Sequence, residues 1–156
     1  MQKSTFHQYQ GKNIGTAFDL HDSFTNYLNQ HCTIYQEIAK IAKINQSYEP
    51  LRFGRMYFRE ISGNGYDFGL PQGHPCTLAF SRILGGEEIL IAYNTSTEHK
   101  RSDFVIVDSS IQKSGKTMKY LYGKDGTVNI QTHPDSNNPT LFIQLDLEPM
   151  QFVILK

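Results

Sequence analysis

Residues 77–93 read Thr77-Leu78-Ala79-Phe80-Ser81-Arg82-Ile83-Leu84-Gly85-Gly86-Glu87-Glu88-Ile89-Leu90-Ile91-Ala92-Tyr93. Two arms rich in β-branched, aromatic and other apolar residues flank a Gly-Gly pair, which supplies the positive φ angles of a two-residue hairpin connection. The stretch predicts an antiparallel pair, 77–84 with 87–93. Strand patterns continue on both sides of it. Leu51 to Ile61 is β-rich and ends at the turn cluster Ser62-Gly63-Asn64-Gly65. Phe104, Ile106 and Asp108 alternate with Val105, Val107 and Ser109, a strand with apolar residues on both faces that is expected between layers. Shorter strands are expected at Met118–Tyr122 and Thr127–Gln131, joined by Gly123-Lys124-Asp125-Gly126. Leu141–Leu147 and Gln151–Leu155 follow, separated by Glu148-Pro149-Met150. Strands at this spacing, seven or eight in all, predict a mainly β chain folded as an antiparallel β-sandwich or barrel.

Ahead of Pro50 the apolar period is 3.6 rather than 2. Ile34, Ile38, Ile41 and Ala42 recur at helical spacing, and Thr33-Ile34-Tyr35-Gln36 reads as a capping box. A helix is expected over about 33–46, ended by Ser47-Tyr48-Glu49-Pro50 because the residue before proline disfavours the helical region. Residues 1–32 are polar, with a short helical hint at Phe24, Tyr27 and Leu28. The chain therefore divides into a polar N-terminal segment with a helix, 1–50, and a β-domain, 51–156. The helix is expected outside the main core, and Asp135-Ser136-Asn137-Asn138-Pro139 is a loop within the domain. Burying each isoleucine of the stripe is worth about 1.5–3 kcal/mol. The helix is thus expected to fold back on the β-domain or to meet a second copy, giving a homo-oligomer through residues 33–46.

The chain has 156 residues, enough for one domain with an appendage. Fifteen Lys and Arg balance fifteen Asp and Glu. A general nucleic-acid or anionic-membrane binder needs a basic excess, so neither partner is expected. Nine Tyr and ten Phe carry too much ring surface for a disordered chain. No apolar run is long enough to span a membrane, and Met1-Gln2-Lys3-Ser4-Thr5-Phe6-His7 has no signal-peptide core. Cys32 and Cys76 form no CxxC pair and read as free thiols; with the missing leader they point to the cytoplasm.

Most motif matches fail on spacing. Ser114-Gly115-Lys116-Thr117 ends like a phosphate loop, but its first glycine would fall at Ser110 and a strand follows, so it reads as a hairpin turn. Gly63, Gly65 and Gly69 are one residue too long for the dinucleotide fingerprint and read as turn glycines. His7, His21, His31, His74, His99 and His133 lack metal-binding spacing, so no metal or cofactor is expected. Ser81, Ser109 and Ser110 lack a nucleophile elbow. Asp108 and Asp146 lie near strand ends, where capping is the usual role. Asn45-Gln46-Ser47 and Asn94-Thr95-Ser96 match the glycosylation sequon, which means little without a secretion signal. Tyr57, Phe58, Tyr66 and Phe68 flank a glycine-rich turn, and aromatic faces stack on sugar rings; Tyr57, Tyr66 and Phe68 are the carbohydrate-binding candidates, against a plain core role.

Several segments, in order, resemble the end of an α-amylase superfamily enzyme, glycoside hydrolase family 13. Ile34-Tyr35-Gln36-Glu37-Ile38-Ala39-Lys40-Ile41-Ala42 is similar to the helix that closes the catalytic (β/α)8 barrel. Glu49-Pro50-Leu51-Arg52-Phe53-Gly54-Arg55-Met56-Tyr57-Phe58-Arg59-Glu60-Ile61-Ser62-Gly63, Leu78–Leu84 and Asn94-Thr95 follow. Leu145-Asp146-Leu147-Glu148-Pro149-Met150-Gln151-Phe152-Val153-Ile154-Leu155 is similar to the family's terminal L-x-L-x-P-x-x-F-x-x-L. The likeness covers about residues 33–156 and implies the C-terminal β-sandwich called domain C. It also implies that the catalytic carboxylates sit on barrel strands preceding residue 1, so no catalytic residue is assigned. Phe18-Asp19-Leu20-His21-Asp22 is similar to the family's F-x-x-N-H-D, yet it is one residue shorter, Leu20 stands in place of Asn and too few residues separate it from the helix. The implied function is non-catalytic: a domain stabilising a barrel that acts on α-glucosidic bonds of starch oligosaccharides or sucrose, this chain alone being inactive. The implied partners are that barrel and an α-glucan or oligosaccharide. The alternatives are an independent carbohydrate-binding module and a small stand-alone hydrolase.

Overall fold

A computed structural model of the chain describes residues 33–133 and 140–156. The helical hint at Phe24, Tyr27 and Leu28, the Phe18–Asp22 segment, Cys32, His7, His21, His31 and the 135–139 loop lie outside the described residues. The described residues fall into two units, 33–43 and 44–156.

Helix α1 spans Thr33–Ser47. Tyr48 then adopts extended backbone (φ −123°, ψ 112°), and a second, five-residue helix, α2, runs from Glu49 to Phe53. This corrects the expected strand from Leu51. Pro50 lies in the first turn of α2, where its fixed φ suits a helix and its missing N–H costs nothing. Gly54 closes α2 by donating its N–H to Pro50 O. A Cβ there would lie 2.5 Å from that oxygen and 2.9 Å from Ile83 O, so the glycine is required by close approach.

Among the described residues ten strands follow, all pairings antiparallel: β1 Arg55–Phe58, β2 Ile61–Ser62, β3 Thr77–Leu84, β4 Glu87–Asn94, β5 Arg101–Ile106, β6 Thr117–Tyr122, β7 Thr127–Asn129, β8 Gln131–Thr132, β9 Leu141–Leu147 and β10 Phe152–Leu155. They build a six-stranded sheet in the order β1-β3-β4-β10-β6-β7 and a four-stranded sheet in the order β2-β5-β9-β8. The count exceeds the seven or eight expected because the segments 51–61 and 127–131 each break into pieces that serve different sheets. The first break falls at Arg59–Glu60, between β1 in one sheet and β2 in the other. The turn at Ser114–Lys116 likewise precedes β6 without joining a hairpin, since β5 and β6 belong to different sheets.

The β3–β4 hairpin forms as expected: Leu84 pairs with Glu87, and Gly85 and Gly86 take φ of 60° and 80°. Alternation along β3 sends Thr77, Ala79 and Ser81 inward and leaves Leu78, Phe80 and Arg82 half-buried on the opposite face. The inner faces of both sheets share one core, with Ala79, Leu90, Ala92, Met118, Val153 and Leu155 from the first meeting Val105, Ile143, Leu145 and Leu147 from the second. Two antiparallel sheets closed over one core are compatible with a β-sandwich.

A second, smaller cluster lies on the outer face of the six-stranded sheet. Ile89, Ile91 and Ile154 are buried there under Ile44, Tyr48 and Leu51, with Phe80 and Phe152 beside them. The end of α1 and the start of α2 thus cover that face. Within α1, Ile34 and Ile38 are 64% and 61% exposed.

Candidate functional site

The turn after β2 is built by two short polar side chains. Ser62 Oγ accepts the backbone N–H groups of Asn64 and Gly65 and donates to Asn64 Oδ1 at 2.8 Å. Asn64 Oδ1 also accepts the N–H groups of Tyr66 (2.9 Å) and Asp67 (3.0 Å). Side-chain bonds of this kind substitute for a backbone turn and hold it in one conformation. Gly65 has φ +80°, and its α-carbon backs onto the Phe104 ring; an added Cβ would sit 3.4 Å from that ring. The turn therefore presents Tyr66 outward at 74% exposure from a rigid base.

Under Tyr66 lies an aromatic stack on the outer face of the four-stranded sheet. The Tyr66 and His133 rings are 4.2 Å apart at 31°, and His133 and Phe142 are 5.3 Å apart. Phe142, itself buried, meets Phe68 at 5.6 Å and Phe104 edge-on at 5.5 Å. His133 Nε2 faces Gly65 O; a carbonyl only accepts, so this nitrogen carries the hydrogen. Of the three residues nominated from sequence, Tyr66 and Phe68 come together here. Tyr57 does not: it sits on β1 of the other sheet, opposite Ser81. His133, Phe104 and Phe142 were not singled out for this site, because nothing in local spacing links Gly65 to a histidine 68 residues away.

The charged groups between the sheets are spent on one another. Arg59 donates Nε–H to Ser81 Oγ (2.8 Å) and Nη2–H to Glu88 Oε1 (2.8 Å) and Asp108 Oδ2 (3.2 Å). The Glu88 side chain is fully buried and also accepts from Ser81 Oγ (2.6 Å) and Asp108 N. Burial pushes the Asp108 carboxyl up, but bonds from Ser110 and the Arg59 guanidinium outweigh it and leave the group below the usual carboxylate range. A carboxylate so held is a poor proton donor. At the other end, Arg101 forks onto both oxygens of Asp103 (2.8 and 3.1 Å), which also accepts Thr77 Oγ1–H. That hydrogen-bonded pair raises the Arg101 guanidinium further above its usual range.

The remaining sequence candidates sit apart. His74 and His99 line a shallow, open depression of about 400 Å³ with Pro75, Ser96 and Glu98. Cys76 is a half-buried free thiol. Asn94 of the second sequon is fully buried, its amide directed at the carbonyls of His99, Leu147 and Glu148, which leaves no room for a glycan. Asp146 is exposed near the end of β9. Among the described residues no three His, Cys, Asp or Glu side chains cluster as metal ligands.

No family model and no curated protein sequence matches the chain.

Proposed function

We propose that the chain is the C-terminal part of an α-amylase superfamily enzyme, a closing helix followed by a non-catalytic domain C, and that its parent hydrolyses or transfers at α-glucosidic bonds. The observation that carries this reading is the joint between helix and sheet. Ile44 of α1, Tyr48 and Leu51 of α2 are packed on Ile89, Ile91 and Ile154, so the end of the helix is anchored on the β-domain rather than tethered by a linker. An accessory domain that stabilises a barrel through the barrel's last helix needs such a joint, because a flexible connection would transmit no stabilisation. The Arg59–Glu88–Asp108 cluster and the Thr77–Asp103 bond between β3 and β5 fit the same role, since they tie separate segments together within the β-domain.

The test is the genomic DNA ahead of the codon for Met1. An open frame encoding alternating strands and helices with three acidic residues at strand ends is expected; an in-frame stop with no such frame nearby overturns the reading.

A further inference from the structure

We propose that Tyr66, seated on His133, is a binding platform for one pyranose ring of a neutral oligosaccharide, with Asn64 and Asp67 taking its hydroxyls. The proposal goes beyond the accessory-domain reading and does not depend on it. Four observations converge on the turn. First, Tyr66 is 74% exposed although His133 covers it at 4.2 Å, so ring surface remains open to solvent. Second, the ring is held in advance by the Ser62 and Asn64 bonds and by the stack down to buried Phe142, so little freedom is lost when a ligand binds. Third, Asn64 Nδ2 donates to Asp67 Oδ2 at 2.8 Å. This leaves one amide hydrogen and one carboxylate oxygen without a partner among the described residues, a donor and an acceptor suited to neighbouring hydroxyls.

Fourth, the size and charge of the patch select among ligands. Phe142 is buried and Phe68 and Phe104 are half-buried, so among the described residues the open apolar surface near the turn is essentially one ring, with Leu70 exposed close by in sequence. A protein partner needs about 800 Å² per side. A phosphate-bearing ligand would meet the Asp67 carboxylate in a turn, 62–67, that holds no Lys or Arg. A neutral sugar presents a C–H face to the ring and hydroxyls to the rim, which is what the site can satisfy.

The experiment is a titration of the full chain with maltoheptaose and, separately, cellohexaose, followed by backbone amide shifts. Saturable shifts at Gly65–Asp67 and His133 are expected with at least one sugar, with dissociation constants of about 0.1–10 mM, as a shallow one-ring site permits. Tyr66→Ala should weaken binding by about tenfold or more, Tyr66→Trp should restore it, and Tyr57→Ala should leave it unchanged. Should Tyr66→Ala lose its dispersed spectrum, Asp67→Ala at an exposed position carries the test with the same expected weakening. Response to cellohexaose alone upholds the platform while counting against an α-glucan as its ligand, which separates it from the family reading. Absence of saturable shifts with both sugars overturns the proposal, as do shifts that persist unchanged in Tyr66→Ala. Loss of self-association in that variant without any sugar response identifies a protein contact and overturns it as well.

Discussion

At Arg59 a single guanidinium, 12% exposed, gathers Ser81 and Glu88 from the β3–β4 hairpin and Asp108 from beyond β5, just where the chain passes from one sheet to the other. Removing it leaves the fully buried Glu88 carboxyl without its cationic partner. Arg59→Met should therefore destabilise the fold by about 3 kcal/mol, and the double change Arg59→Met with Glu88→Leu should recover much of that loss. Urea unfolding of the three chains measures both; a double variant as weak as the single one would show that the pair is more than its own desolvation. Asp108 gives the pH dependence. Its carboxyl lies below its ordinary value when folded, so its contribution is present above about pH 4 and fades as the pH falls through the folded value. The urea midpoint of the native chain should drop on acidification below about pH 4. Asp108→Asn, with no carboxylate to protonate, should drop less steeply. Equal slopes would remove Asp108 from the acid response.

Among the elements, the helix–sheet joint separates two kinds of isoleucine on one helix. Ile44 is half-buried against the sheet, and Ile44→Ala should cost about 1–2 kcal/mol, with the β-domain still unfolding in one transition. Ile38 is 61% exposed, and Ile38→Lys should change stability by no more than about 0.5 kcal/mol. Thermal melts of the two variants decide; a larger loss at Ile38 than at Ile44 would contradict the placement of the joint. The strands that pair locally were readable because a two-residue period and a Gly-Gly turn depend on neighbours in sequence. The helix period over 33–47 was readable for the same reason. Helix α2 was not, because Leu51-Arg52-Phe53 has a strand-like composition, whereas the folded chain packs Leu51 on the Ile89, Ile91 and Ile154 cluster, a contact distant in sequence. The aromatic site was half legible: Tyr66 and Phe68 stand beside a glycine-rich turn, whereas His133 and Phe142 reach them only through strand pairing across the second sheet.

On the scale of the whole molecule, polar chemistry is distributed by depth. The deeply buried carboxylates, Glu88 and Asp103, are matched with Arg59 and Arg101, which lets charge lie between apolar sheets at tolerable cost, while the Arg59–Glu88 and Thr77–Asp103 bonds tie segments distant in sequence. The turn on which the sugar platform is proposed lies on the outside and presents one aromatic ring. The accessory reading proposed above assigns this chain support and positioning rather than bond cleavage, for which a pair of carboxylates with opposed proton affinities must face a cleft. The most direct measurement is turnover of p-nitrophenyl α-glucoside, maltoheptaose and sucrose by the purified chain, repeated after a second purification. Release of nitrophenol or glucose at the rate of the buffer blank is expected for all three. Turnover that survives repurification and disappears when Asp108 or another single carboxylate is replaced by its amide would place catalysis within this chain and contradict the non-catalytic reading.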